Sequence, residues 1–175
     1  MGKVSEALLG GAASGVELSI ALVSIIALWL GLMNIAEKAG AISFLSRILS
    51  PVVRKLFPSV PPDGPAMGAI LANMSANVLG IGNAATPLGL KAMKELQLLN
   101  QDKDTASDAM CTLLAVNTAS ITLIPTTVIA VRMQYHSVHP TAVVAPTILA
   151  TVIGTVVAIL FDHFFRHRTN RRRHA

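Results

Sequence analysis

The sequence predicts an all-α membrane protein: three crossing helices (one broken), an interfacial amphipathic helix and a re-entrant helical hairpin. Three observations lead there. Of the 175 residues, 53% are hydrophobic and only 13% charged, about half the charge a soluble domain uses to cover its surface. Four windows, 18–36, 64–90, 109–131 and 140–161, contain no Asp, Glu, Lys or Arg. Each approaches the roughly 20 residues a helix needs to cross hydrocarbon. Finally, the positive charge becomes one-sided once the window 64–90 enters and returns on the same face.

That last point follows from counting Lys and Arg. If all four windows crossed, the two faces would hold nine and five of the fourteen basic residues. With 64–90 returning, segments 37–63, 91–108 and 162–175 share a face carrying twelve, and only Lys3 and Arg132 lie opposite. Twelve against two is the asymmetry of the positive-inside rule. It predicts a multi-pass protein of the inner (cytoplasmic) membrane with its C-terminus in the cytoplasm. The net charge of +5 does not indicate nucleic acid, because five of the basic residues lie in the last ten positions, "RHRTNRRRHA". That placement suits a topology anchor and contact with anionic lipid. The expected organisation is one transmembrane domain over 1–165 and a basic cytoplasmic tail over 166–175. No cleavable signal peptide is expected in "MGKVSEALLGGAASG", which has no strongly apolar run.

Residues 18–36, "LSIALVSIIALWLGLMNIA", form the first crossing, beginning several residues earlier. Segment 41–57 places Ile42, Leu45, Leu49, Val52 or Val53, and Leu56 on one stripe, with Arg47, Arg54 and Lys55 away from it. Such a helix lies in the interface, and Ser50 with Pro51 is expected to start a second half. "PSVPPDGP" ends it. The hairpin follows, with "GIGNAATP" as its tip, because reversal at depth needs glycine dihedrals and Pro87 suits the first turn of the returning arm. "NQDKDTASD" turns the chain into a second crossing, about 106–134, which must break near Pro125. "QYHSVHP" leads to the last crossing, about 140–165.

Both irregular stretches carry uncharged hydrogen-bonding side chains. The stretch 77–89, "NVLGIGNAATPLG", with its approach holds Asn73, Asn77, Asn83 and Thr86; "VNTASITLIPTT" holds Asn117, Thr118, Ser120, Thr122, Thr126 and Thr127. Asn73 and Asn77 share a helix face at i, i+4 spacing. Irregular backbone at membrane depth is tolerated only inside protein or along a wet cavity. Two such segments meeting near the midplane form a polar pocket, as in broken-helix transporters. The simpler reading takes Asn, Ser and Thr as glue between helices, with Gly80, Gly82 and Ala84 permitting close approach. It fits any single Ser or Thr, whereas two unwound segments together favour the pocket, above all at Asn77, Asn83 and Asn117.

Other chemistry is sparse. Glu17 and Asp162 stand at helix ends and are expected to reach water, so no carboxylate at mid-depth supports a proton relay. No cofactor is expected; a sodium ion would have to be held by carbonyls and hydroxyls at the breaks. His136 and His139 in the short loop, and His163, His167 and His174 near the basic end, lack partner ligands for a metal. Cys111 reads as packing, and Trp29 and Met33 as core or lipid-facing bulk. No nucleophile with a base, paired carboxylates or metal cluster points to an enzyme.

"LWLGLMNIAEKAG", "PAMGAILANMSANVLGIGNAATPLGLKAM" and "AVNTASITLIPTTVIAVRM" closely resemble the spore maturation protein A family. That family belongs to the nucleoside-recognition or gate domain group of membrane proteins, which is similar to one repeat of concentrative nucleoside transporters. The resemblance runs from about residue 16 to the last helix. It implies the same helix order, and substrate and sodium at the hairpin tip (83–86) and the unwound helix (117–122). It also implies a companion, a spore maturation protein B-like gate protein, and a role in dehydrating the spore core in spore formers. Members usually begin with another membrane helix, which "MGKVSEALLGG" does not offer, and the acidic residues that nucleoside transporters place at the substrate are absent from both breaks.

The function expected is therefore half of a transporter-like core that binds a small-molecule solute, completed by the companion or by a second copy. A membrane scaffold without transport is the alternative.

Overall fold

The computed structural model describes residues 2–119 and 121–173. Helices make up the order α1 (Gly2–Lys38), α2 (Ala41–Leu56), α3 (Pro65–Val78), α4 (Gly82–Leu99), α5 (Asp108–Thr118), α6 (Thr126–Gln134), a 3₁₀ turn (Pro140–Val143) and α7 (Val144–Arg173). Among the described residues there is no strand.

α1 is one continuous helix of 37 residues, about 55 Å at 1.5 Å per residue. It starts well before the charge-free window that marks its apolar part. The side chains of several residues in 21–33, Trp29 and Met33 among them, lie outside the described residues. Gly40 both ends α1 and starts α2. Its φ of 88° is the left-handed conformation that favours glycine; its N–H bonds Glu37 O and its carbonyl accepts from Phe44 N, both at 2.9 Å.

α2 runs through Pro51 without interruption, so the expected second half at Ser50 and Pro51 is not a separate helix. One face, with Val53 and the following Phe57, is fully buried against α3, while Phe44, Ile48 and Val52 form an exposed apolar stripe at i, i+4, i+8 spacing. Ser46 Oγ and Ser75 Oγ, 3.0 Å apart, tie α2 to α3.

α3 opens with Pro65 in its first turn, where no N–H is needed. It ends in a Schellman closure: Gly80 N–H donates to Asn77 O and Ile81 N–H to Ala76 O, both at 2.9 Å. Gly80, at φ 74°, supplies the left-handed residue. α3 and α4 then pack along each other as a helical hairpin. The tip is therefore 79–81, shorter than expected from "GIGNAATP". α4 is already helical at Gly82, and Pro87 sits in its second turn rather than its first. Once the glycine closes the reversal, the Asn-Ala-Ala-Thr run winds directly into helix.

Lys103 Nζ donates to Gln97 O at 2.6 Å, and Asn100 Nδ2 to Thr105 O at 2.7 Å, ordering the polar loop after α4. Ser107 Oγ accepts from Met110 N–H as the cap of α5, and Asp108 in the first turn complements the helix dipole.

The helix break lies between Thr118 and Thr126, with Ala119, six residues ahead of Pro125, already outside α5. A proline disfavours helical dihedrals in the residue before it and clashes with the carbonyl four back, so unwinding spreads upstream. α7 continues to Arg173, past the expected end near 165.

The apolar core lies between α2, α3, α4 and α5, around Phe57, Met67, Ile70, Leu96 and Leu113. α7 packs on α5, and α1 on α6 and α2. Both long helices turn large apolar side chains outward, such as Leu8, Ile20 and Leu28 on α1 and Leu149, Val156 and Phe164 on α7. Among the described residues one stretch, Pro140–Arg166, is long and apolar enough to cross a membrane.

Two sequence readings change. Cys111 is exposed on α5 rather than packed. Asp162 does not reach water freely: its side chain is 7% exposed, 3.0 Å from the Arg166 guanidinium, and it accepts from Thr112 Oγ1 at 2.9 Å.

Candidate functional site

The two interruptions touch. Leu123 N–H, in the break, donates to Val78 O at the end of α3 at 2.9 Å. The Ile124 carbonyl lies so close over Gly80 that a Cβ there would collide with it. One turn below, Asn77 Nδ2 donates to Asn117 Oδ1 at 2.8 Å, joining the last turns of α3 and α5. One backbone bond thus pairs an N–H of the break with a carbonyl at the end of α3, as irregular chain in an apolar surrounding needs.

Behind this pair sits Asn73, only 2% exposed. Its Nδ2 donates to Ala85 O at 2.8 Å, and its Oδ1 is buried with no acceptor bond made among the described residues. Gly89 gives it room: a Cβ there would come within 3.0 Å of Asn73 Nδ2 and 3.7 Å of Asn117 Nδ2. Asn73, Asn77 and Asn117 therefore gather where α3, α4 and α5 meet.

In front of the pair lies a cleft of about 180 Å³ lined by Asn77, Gly80, Thr122, Ile124, Pro125 and Thr126, with Thr127 at its edge. At about 30 Å³ per water it holds some six waters, less than the usual 300 Å³ or more of a complete small-molecule site.

Of the residues expected at the site, Asn77, Thr122 and Thr126 line the cleft, and Asn117 joins it through Asn77. Asn73 is adjacent and buried. Thr118 is exposed and donates back to Leu114 O at 2.8 Å within its own helix. Thr86 is exposed on α4. The side chain of Asn83, and Ser120 altogether, lie outside the described residues. Among the described residues no group of three or more His, Cys, Asp or Glu could hold a metal.

Sequence reading missed Thr155. It is 5% exposed on α7, and its hydroxyl lies within hydrogen-bond reach of both Ala119 O at the start of the break and Thr151 O, which share its single proton. Its signal was a hydroxyl within an apolar helix. The tie of Thr112 to Asp162, the sole acidic residue of α7, was missed as well.

Residues 19–135 match the family described as "Gate: nucleoside recognition", a span holding both the tip and the break. The chain is 52% identical over 169 residues to spore maturation protein A of Bacillus subtilis (strain 168), covering 97% of this chain and 86% of that protein. This chain belongs to the spore maturation protein A family. No solved structure matches it. Membership makes it a membrane protein with a gate-type nucleoside-recognition domain, in keeping with the outward apolar faces of α1 and α7. The matched span stops before α7, so Thr155 and Asp162 fall outside it.

Proposed function

We propose that this protein is half of a transporter-like core in the inner membrane, binding a small solute where the hairpin tip meets the broken helix. The observation that carries the reading is the junction itself: Leu123 N–H on Val78 O, beside the bonded pair of Asn77 and Asn117. In this reading α3 and α4 dip into the bilayer and return, α1, α5 with α6, and α7 cross, and α2 lies in the interface. The C-terminus is then cytoplasmic, with twelve of the fourteen basic residues on that face. The cleft is small and open, which suits a half-site. Transporters of this architecture bring two repeats to one site, so a related B-type gate protein, or a second copy, completes it. A sodium ion would be held by carbonyls and hydroxyls at the two breaks. In a spore former the activity would serve dehydration of the spore core.

A second reading has its own support: Asn77 and Asn117 satisfy each other, as interhelical glue does. The protein would then be a scaffold. One experiment separates them. The purified complex with its companion is screened for thermal stabilisation by nucleosides, small acids and sodium, as wild type and as Asn83→Ala and Asn117→Ala. A transporter core shows stabilisation that the variants lose while still folding. A scaffold shows no response to any of these solutes, in the wild type or in the variants. Solute uptake into proteoliposomes by this chain alone would remove the half-core idea.

A further inference from the structure

α2 and α7 are not close-packed on each other, and the space between them is a groove with two unlike ends. Toward the C-terminal end of α2 is a hollow of about 440 Å³ whose wall includes Lys55, Pro58, Asp108, His163 and Arg166. Deeper along the helices is a second, of about 120 Å³, walled by Leu49, Val52, Met74, Val116 and Ile121. Leu56 and Ile159 belong to both walls, so the hollows adjoin. The apolar end stops against Asn77, Asn117 and Thr155.

We infer that this groove seats one anionic glycerophospholipid, its phosphate at Lys55 and Arg166 and one acyl chain running past Leu56 and Ile159 into the apolar end. The charges favour the assignment. Among the described residues of the wall, Lys55, His163 and Arg166 stand against one acid, the exposed Asp108; Arg166 gives one nitrogen to Asp162 at 3.0 Å, and its Nε is buried, so a phosphate would meet the outer nitrogens of the fork. A guanidinium has five N–H groups, so a phosphate finds donors there, and His163 adds another. A free phosphate would use only the charged hollow; a lipid uses both, and the protein lies in a membrane. The site shares Asn77 with the cleft at the hairpin tip but does not depend on solute binding there.

Native mass spectrometry of the full chain in mild detergent tests this with phosphatidylglycerol, phosphatidylcholine and inorganic phosphate as probes. One phosphatidylglycerol should stay bound under conditions that strip phosphatidylcholine, and millimolar phosphate should not displace it. Lys55→Glu should weaken retention by about tenfold, the scale of one charge-assisted contact. Val52→Trp, which fills the apolar end, should abolish it. Both positions are exposed, so unchanged melting temperatures without lipid would show that the fold is intact, and Lys55→Gln is the milder substitute if it is not. Retention unaffected by the charge and Val52 variants, or displacement by inorganic phosphate, would overturn the assignment.

Discussion

At residues 79–81 the chain closes its own hydrogen bonds; at the helix break two backbone groups, Ala119 O and Leu123 N–H, are met by other elements. The first interruption is a Schellman turn whose N–H groups return to Ala76 and Asn77 within α3. The second depends on other elements: Thr155 of α7 donates to Ala119 O, and Val78 of α3 accepts from Leu123 N–H. A self-contained turn forms wherever glycine stands at the left-handed position. The break, by contrast, takes two of its backbone partners from α3 and α7.

The sharpest way to break this comparison is at Gly80, where turn and break share one point. Gly80→Ala meets both the left-handed φ and the Ile124 carbonyl, and should cost on the order of 3 kcal/mol in unfolding measured in detergent. Gly68→Ala, in α3 with open space around it, is the control and should be neutral or stabilising by up to about 1 kcal/mol.

Next in size is the pair of asparagines. Asn117→Ala leaves the part-buried Asn77 amide without its partner and should cost about 1–2 kcal/mol. A double-mutant cycle with Asn77→Ala should return a coupling of about 1 kcal/mol; zero coupling would mean the bond of 2.8 Å holds nothing together.

Thr155→Val keeps the shape and removes the donor to Ala119 O. It should cost about 1 kcal/mol by the same measurement, and no loss would show that the break does not lean on α7. The smallest effect is expected at the exposed pair of Arg54 and Asp63, 3.3 Å apart with side chains 48% and 90% exposed. Arg54→Ala should change unfolding by under about 0.5 kcal/mol.

Much of the architecture was legible in the sequence, and for identifiable reasons. The amphipathic stripe of 41–57 gave α2 almost to the residue, and the two glycine- and proline-rich stretches marked the interruptions. That Asn77 and Asn117 lie near both followed from their uncharged polarity in apolar runs. What escaped was geometry set by closure and packing. Nothing local says that Gly80 rather than Gly82 takes the left-handed position, since both are glycine within two residues. Pro87 looked like a first-turn residue only because the tip was placed too late. Asp162 seemed destined for water because its partners, Thr112 and Arg166, are settled by the approach of α5 to α7, which no window of sequence displays.

The two ties between α5 and α7 have a mechanical meaning. Residues 112 and 119 are seven apart, and their partners, 162 and 155, are seven apart in the opposite order. Seven residues is about two turns, so both rivets sit along one seam, and sliding either helix by a turn would shear both together. The lower half of the interrupted rod is thereby a fixed jamb. Were the junction to move, the displacement would fall to α6, which rests on α1; distance probes set across α6 and α7 would report it where probes across α5 and α7 stay still.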